Sequence, residues 1–600
     1  MKKLLLVFTV AALVLVPLCA GFSQTLNDVV KQVKGDTLVI KTYDDYSSKP
    51  NTLYIALLAD TVSVPAGRVY ELQAGGFYPL ANNPQCYANR TTVIVGSDSR
   101  PLTQNKDDLS YPPLICGNVG SSSNAGGVNT NGNLTIKNCD LVPAANDGTL
   151  AWAYTGTGAS NLRLTYDNCI MERTRWIFVA FFNQNIDLFL TNCYFVNMNG
   201  QPCRRNGGVL DSFNPADSLV VENCTHIMAQ GSMYKFRTYP FNRIIVNHNT
   251  FVNCAGYIFM DLGNQSNYSL TNNIFINCNI QEYPRMQSID SGEQDLDWLP
   301  MGLTNCYPDS VDVANNTPRK FYVRHNLAYW DPYLNDMTAT LDAAHLNGVT
   351  TWQSQMITAN VRTDSMFKHL GRFSGQPYHY MSTDTWLNKM PTFTKPENLF
   401  QTTAGGALHD LKAFALATVD TGAGGSAAVL PDWRLVNIGP DYYVYSDWPI
   451  PVDLSYTDAD LKTAGIGGFP LGDLNWFPTQ KATWLAQRAA EHAAIDQAMS
   501  TPQAVSQHQT GVPGTFELKQ NYPNPFNPST VISFTIPKAG NVSLKVYNTL
   551  GEEVATLMNG YKTAQSFDVK FDGARLASGV YFYTLRFEDQ SISKKMVLMK

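Results

Sequence analysis

The chain repeats itself at a fixed interval. Asn138-Cys139, Asn168-Cys169, Asn192-Cys193, Asn223-Cys224, Asn249-Thr250 and Asn273-Ile274 stand at the same point of a phrase that returns every 24 to 31 residues. The phrases from Asn192 to Met198, from Asn249 to Cys254 and from Asn273 to Cys278 are nearly alike. A unit of this length cannot bury an apolar face by itself, so successive units must stack. Inside the phrase the alternation has period two. In Thr250 to Cys254, Phe251 and Asn253 fall on one side and Val252 on the other, which is a strand and not a helix. The phrases end in turn residues, as at Asn199-Gly200 and Gly263-Asn264, and the leucine pattern of leucine-rich repeats is absent. Strand and turn alternating over roughly 24 residues make one coil of a parallel β-helix, with coils about 4.8 Å apart. The expected fold class is therefore all-β. Asn168, Asn192, Asn223, Asn249 and Asn273 are expected to form a structural ladder, their amides bonding to the coils above and below. Asn also tolerates the left-handed backbone of a sharp turn. The cysteines beside them are expected inside, as small apolar groups.

With these rungs, residues 24–335 resemble the right-handed parallel β-helix proteins, the architecture of pectate lyases and chondroitinase B. The segment from Thr25 to Lys34 reads as an amphipathic helix with Leu26, Val29, Val30 and Val33 on one face, followed by Gly35-Asp36 and an apolar strand. It is similar to the N-terminal caps of that family, which cover an open apolar end. Strands are expected at Thr52 to Leu58, Val69 to Leu72 and Thr91 to Val95. An insertion runs from Gln281 to Thr317 before the ladder resumes at Asn326. Residues 336–499 lose the repeat and read as an irregular C-terminal cap. Helices are expected in it at Met337 to Leu346, Thr351 to Thr358 and Thr483 to Met499. The last packs Trp484, Leu485, Ala489, Ile495 and Met499 on one side.

The two ends carry other signals. Met1-Lys2-Lys3 before the apolar run Leu4 to Leu18 reads as a secretory signal peptide, residues 1–23. No other run is long and apolar enough for a transmembrane helix. Net charge is −6 and no basic stripe is present, which argues against nucleic acid as a partner. Of eleven cysteines, those on the ladder are expected as free thiols, while Cys86 and Cys116 lie off it and are the better disulfide candidates. Residues 500–513 read as a linker. The stretch 514–600 opens on Asn521-Tyr522-Pro523-Asn524-Pro525-Phe526-Asn527-Pro528 and continues in short alternating strands, a small immunoglobulin-like β-sandwich. It resembles the type A C-terminal sorting domain of the type IX secretion system. That resemblance implies the secretion machinery as partner, passage through the outer membrane, and a cell-surface or extracellular location.

Where chemistry could sit is read from the strand after each ladder turn. In Tyr234 to Arg237, Phe236 faces in, so Lys235 and Arg237 face out, with Asp211 one coil earlier and Asp261 one coil later. Resemblance to chondroitinase B-like lyases implies that Lys235 and Arg237 would be catalytic. One would remove the proton α to a uronate carboxylate and the other stabilise the resulting charge. Asp211 and Asp261 would bind substrate or calcium. The alternative is a ladder of cross-strand ion pairs. The acidic insertion Asp290, Glu293, Asp295, Asp297 with Trp298 is a second candidate, against a solvated loop. His226, His248 and His325 read as turn histidines. Tyr329-Trp330 and Tyr442-Tyr443 could stack on sugar rings or pack the cap. Two functions stay open: a surface β-helix that binds polysaccharide or cleaves it by elimination, and a non-catalytic structural or adhesive rod.

Overall fold

The computed structural model describes residues 25–61, 64–88, 90–104, 111–117, 127–145, 150–199, 207–261, 265, 267–284, 300–306, 319–344, 351–368, 381–417, 429–437, 444–500, 516–521, 523–537, 540–562, 565–588 and 590–599. The signal peptide, nearly all of the linker, Asp290 to Trp298 and Tyr442-Tyr443 lie outside them. The chain divides into two compact units, Met1–Thr501 and Pro502–Lys600.

The first unit is a parallel β-helix. Among the described residues three sheets of twelve, nine and seven strands run along it, and each complete central coil gives one strand to each. The coil Asp187–Thr191, Tyr194–Met198, Leu210–Ser212 is typical. Its strands pair in parallel with the coils on either side, residue for residue. Alternation sends every second side chain inward. The second sheet stacks Phe195, His226, Phe251 and Phe275 face to face, with ring centroids 4.4, 4.2 and 4.9 Å apart. That is coil spacing, so the rings stack in contact from coil to coil. His226 is thus a core residue, not a turn residue. Burial holds its imidazole well below the usual histidine range, so it stays neutral.

The turns show where the ladder residues stand. Strand pairing sets Cys139, Cys169, Cys193, Cys224, Asn249, Asn273 and Asn326 in one buried column, each just before the paired residues Asp140, Ile170, Tyr194, Thr225, Thr250, Ile274 and Leu327. The column before it is left-handed throughout: Asn138, Asn168, Asn192, Asn223, His248, Asn272 and His325, with φ between 52° and 60°. The expected ladder therefore crosses columns. Asn168, Asn192 and Asn223 are backbone turn residues, whereas Asn249 and Asn273 take the place of the cysteines. His248 and His325 do stand at turns, where they replace asparagine.

The nine described cysteines are free and buried, Cys86 and Cys116 among them. Cys86 lies on the third sheet and Cys116 on the second, so they do not meet as a bridge. A thiol reagent is expected to label these cysteines only after unfolding; labelling of the folded chain at native rates would contradict their burial.

Two segments at the N-terminal end fold differently from expectation. Only Leu26–Val29 is helical (α1); Val30–Lys34 pairs antiparallel with Thr37–Ile40 across a two-residue turn at Gly35, φ 60°. A hairpin with glycine at its left-handed corner wins over a short amphipathic pattern. Thr52–Ala59 is a helix (α2), not a strand. It is apolar on nearly every side, so periodicity cannot decide. Its Leu53, Ile55, Ala56 and Leu57 close the open end of the core.

Residues beyond 331 only partly cap the far end. Met337–Ala344 is α3, and Val361–Phe367, α4, puts Met366 and Phe367 on the last coil. Trp386 packs on Phe275 at 5.7 Å. The expected helix over Thr351 to Thr358 is absent; Trp352–Gln353 instead pairs with Tyr283–Pro284. The rest runs back along the outside. Ala407–Ala417, α5, and the segment from Leu430 to Phe477 cover the outer face of the second sheet with a second apolar cluster. Pro478–Ser500, α6, then crosses the coils as a brace. It reaches Asn192 through Lys481, Glu222 through Arg488 and His492, Asn247 through Glu491, and Arg243 through Asp496. Trp484, Glu491, Ile495 and Met499 are its buried residues, while Leu485 and Ala489 are exposed.

The second unit packs a three-stranded antiparallel sheet and a four-stranded one around Ile532, Phe534, Leu544, Tyr583 and Leu585. Asn521 has a pinning role there. Its side chain donates to the Thr530 hydroxyl at 2.9 Å and its N–H to the Tyr583 hydroxyl at 2.8 Å.

Candidate functional site

The outer face of the third sheet carries the expected cluster and more. Pairing aligns Gly156, Ala180, Asp211 and Lys235 on successive coils. Tyr234 and Phe236 belong to the core, so Lys235 points away from it, as the alternation requires. It does not stand on an open surface: Lys235 is 1% exposed and Asp211 0%. Lys235 Nζ lies 3.9 Å from Asp211 Oδ2. Arg237 forks onto the same carboxylate, Nε to Oδ1 at 2.7 Å and Nη2 to Oδ2 at 3.0 Å. The strand bulges between Lys235 and Arg237, and Arg237 has φ 54°. A bulge re-aims the side chain that follows it, here onto Asp211. Asp261 accepts from Gln265 Nε2 at 3.1 Å. The two aspartates each take their own protein donors. Among the described residues no group of three or more His, Cys, Asp or Glu could hold a metal ion.

Asp211 also accepts from the Trp176 indole N–H at 3.0 Å. That bond fixes one corner of an aromatic triangle. Trp176 lies 6.1 Å from Phe182 and 5.6 Å from Phe213, and Phe182 stacks on Phe213 at 5.9 Å. Phe182 is 51% exposed, and it lies over Gly156, where a Cβ would come within 3.3 Å of the ring. Arg237 extends over Phe213 at 4.8 Å. One coil towards the N-terminus, Trp152 is 37% exposed and Arg175 stacks over it at 4.2 Å. Arg175 has no carboxylate partner among the described residues. The result is a strip of rings and guanidinium groups along the coils, resting on small side chains and locked from below by one buried carboxylate.

Sequence reasoning found the lower layer and missed the rings. A signal was present: Phe181 is buried, so alternation forces Phe182 outward, and Phe213 stands at the equivalent place one coil on. Arg173, two residues before Arg175, turns away from this strip and reaches Asp432 at 3.7 Å on the covering segment.

No curated protein and no solved structure matches the chain. Residues 520–599 match the family of the secretion system C-terminal sorting domain. No helix among the described residues is long and apolar enough to cross a membrane. The chain therefore carries a type IX sorting tail behind a parallel β-helix, and it is exported to the cell surface or the extracellular space.

Proposed function

We propose that this is a surface-exported β-helix that binds polysaccharide along the outer face of its third sheet. The observation that carries this reading is the strip of exposed Trp152 and Phe182 with half-buried Arg175, Trp176 and Phe213 between and beside them. Exposed aromatic rings held rigidly in a row are costly to leave in water and offer flat apolar faces to the C–H side of sugar rings. The fixed scaffold means little ordering on binding. Binding is favoured over cleavage by the state of Lys235. A general base must reach the proton it takes, and Lys235 Nζ is buried against Asp211.

Affinity electrophoresis of the purified chain through neutral and uronate polysaccharides tests this. Retention on at least one glycan is expected. Trp152→Ala and Phe182→Ala should weaken it by about tenfold or more, with the free energy of unfolding lowered by only about 1 kcal/mol because both rings are partly exposed. No retention on any glycan would overturn the reading and leave a structural rod. An ultraviolet rise from unsaturated product, lost in Lys235→Ala, would replace it with elimination.

A further inference from the structure

Where the brace begins, a lysine amine lies against two side-chain amides. Lys481, in the first turn of α6, donates from Nζ to Asn192 Oδ1 at 2.6 Å and to Asn475 Oδ1. Both acceptors are neutral carbonyl oxygens, and among the described residues Lys481 forms no ion pair. Burial holds its ammonium below the ordinary lysine range, against the charges of Asp473 and Asp167. An amine held in this way is a nucleophile facing a carbonyl.

The two amides stand in different surroundings. Asn475 is 6% exposed and belongs to the single turn Leu474–Trp476, just ahead of α6. Both protons of its amide are engaged: Nδ2 donates to Asp473 Oδ1 at 2.7 Å and to Asn223 O at 2.8 Å. That fixes the orientation of the amide and turns its carbonyl to Lys481. Asp473 is 2% exposed. Its Oδ1 also accepts the Asn475 backbone N–H at 2.8 Å, and its Oδ2 accepts the Thr225 hydroxyl at 2.7 Å. Burial pushes this carboxyl up, against those donors. Asn192 is only half-buried. Its Nδ2 donates to Asp167, which is partly open to water and lies 3.6 Å from Lys137.

We propose that Lys481 and Asn475 join in an isopeptide bond once the chain has folded, with Asp473 relaying the proton. Lys481 sheds one proton to solvent and reacts as the neutral amine. Its Nζ bonds to Cγ of Asn475, the Cγ–Nδ2 bond breaks, and Nδ2 leaves as ammonia. The proton that completes the ammonia is the one the attacking nitrogen gives up. Asp473 Oδ1, which already holds an Nδ2 hydrogen, takes it and passes it to Nδ2. An amine and a carboxamide become a secondary amide and ammonia, with no change of oxidation state and no co-reactant.

Folding supplies what free side chains lack. Amine, amide and carboxyl are held in contact, which replaces a slow encounter by a reaction within one fixed site. The buried amide is the one that reacts, because water neither solvates its surroundings nor competes for its carbonyl. The bond ties the start of α6 to a turn that is itself seated on the coils, through Asn223 and Thr225.

The mass of the purified full chain tests this without any variant. A value lower by one ammonia than the sequence requires is expected. Trypsin should fail to cut after Lys481, so that 463–481 and 482–488 are replaced by one peptide, 463–488, lighter by one ammonia. Lys481→Arg and Asp473→Asn should restore the full mass in chains whose circular dichroism matches the wild type. Asn192→Ala should leave the bond in place. A full-mass wild-type chain cut after Lys481 would overturn the proposal. So would a link to the peptide 176–204, which holds Asn192, or an ammonia loss that survives Lys481→Arg.

Discussion

Asn273→Ala is expected to destabilise the β-helix by about 3–5 kcal/mol, measured by urea unfolding, whereas Cys193→Ala at the same column should cost only about 1 kcal/mol. Asn273 is fully buried. Its Oδ1 accepts the Asn249 N–H at 2.9 Å and Asn249 Nδ2 at 3.0 Å, while its own Nδ2 donates to Val246 O and Asn326 Oδ1, both at 3.0 Å. Truncation takes the Asn273 bond from the Asn249 N–H and one bond each from Asn249 Nδ2, Val246 O and Asn326 Oδ1 in a buried column, and an orphaned buried group costs about 1–3 kcal/mol before relaxation. Cys193 makes only weak thiol contacts, to Thr191 O at 3.2 Å and Tyr166 O at 3.5 Å. Its loss is mainly a small cavity. Equal costs at the two sites would mean that the asparagine column packs and does not bond.

The same column shows where sequence reading reached and where it stopped. The repeat and its period two were enough to specify stacked coils, because only a strand with one face inside gives Phe251 and Val252 opposite surroundings. The register was not. Asn247-His248-Asn249 and Asn272-Asn273 each offer two asparagines or their substitutes to two columns, one needing left-handed φ and one needing a buried amide. Asn suits both, so the phrase can be read in either frame and only the pairing of Thr225 with Thr250 decides. At the site the outward direction of Lys235 was legible from Phe236. Its burial was not, since alternation gives the direction of a side chain and not what covers it. The covering layer was invisible for the same reason: Glu172 meets Ser446 across 274 residues with no periodic pattern to announce it.

Trp484→Ala is expected to detach α6 from the coils and to cost about 3–5 kcal/mol, seen as lost exchange protection over Pro478–Ser500 and a lower unfolding midpoint. The indole is fully buried and anchors the N-terminal half of the helix, as Ile495 and Met499 anchor its end. It packs edge-on against His248 at 5.5 Å and donates to Glu491 Oε2 at 3.1 Å. Glu491 in turn accepts from Asn247 at 2.9 Å, and Asn247 also donates to Glu222 at 3.1 Å. One ring thus positions a polar seam that ends on a carboxylate 2% exposed. Burial pushes the Glu222 carboxyl up, but the His492 bond at 2.7 Å and the charges of His492 and Arg488 outweigh it and hold it below its ordinary range. A depressed carboxyl stabilises the fold above its unfolded value near ~4.3 and loses that contribution as pH falls below it. The brace should therefore weaken in acid. In Trp484→Ala the seam is already open, so acid should add little further loss over α6. If acid loosens α6 equally in both proteins, the seam acts independently of its aromatic anchor.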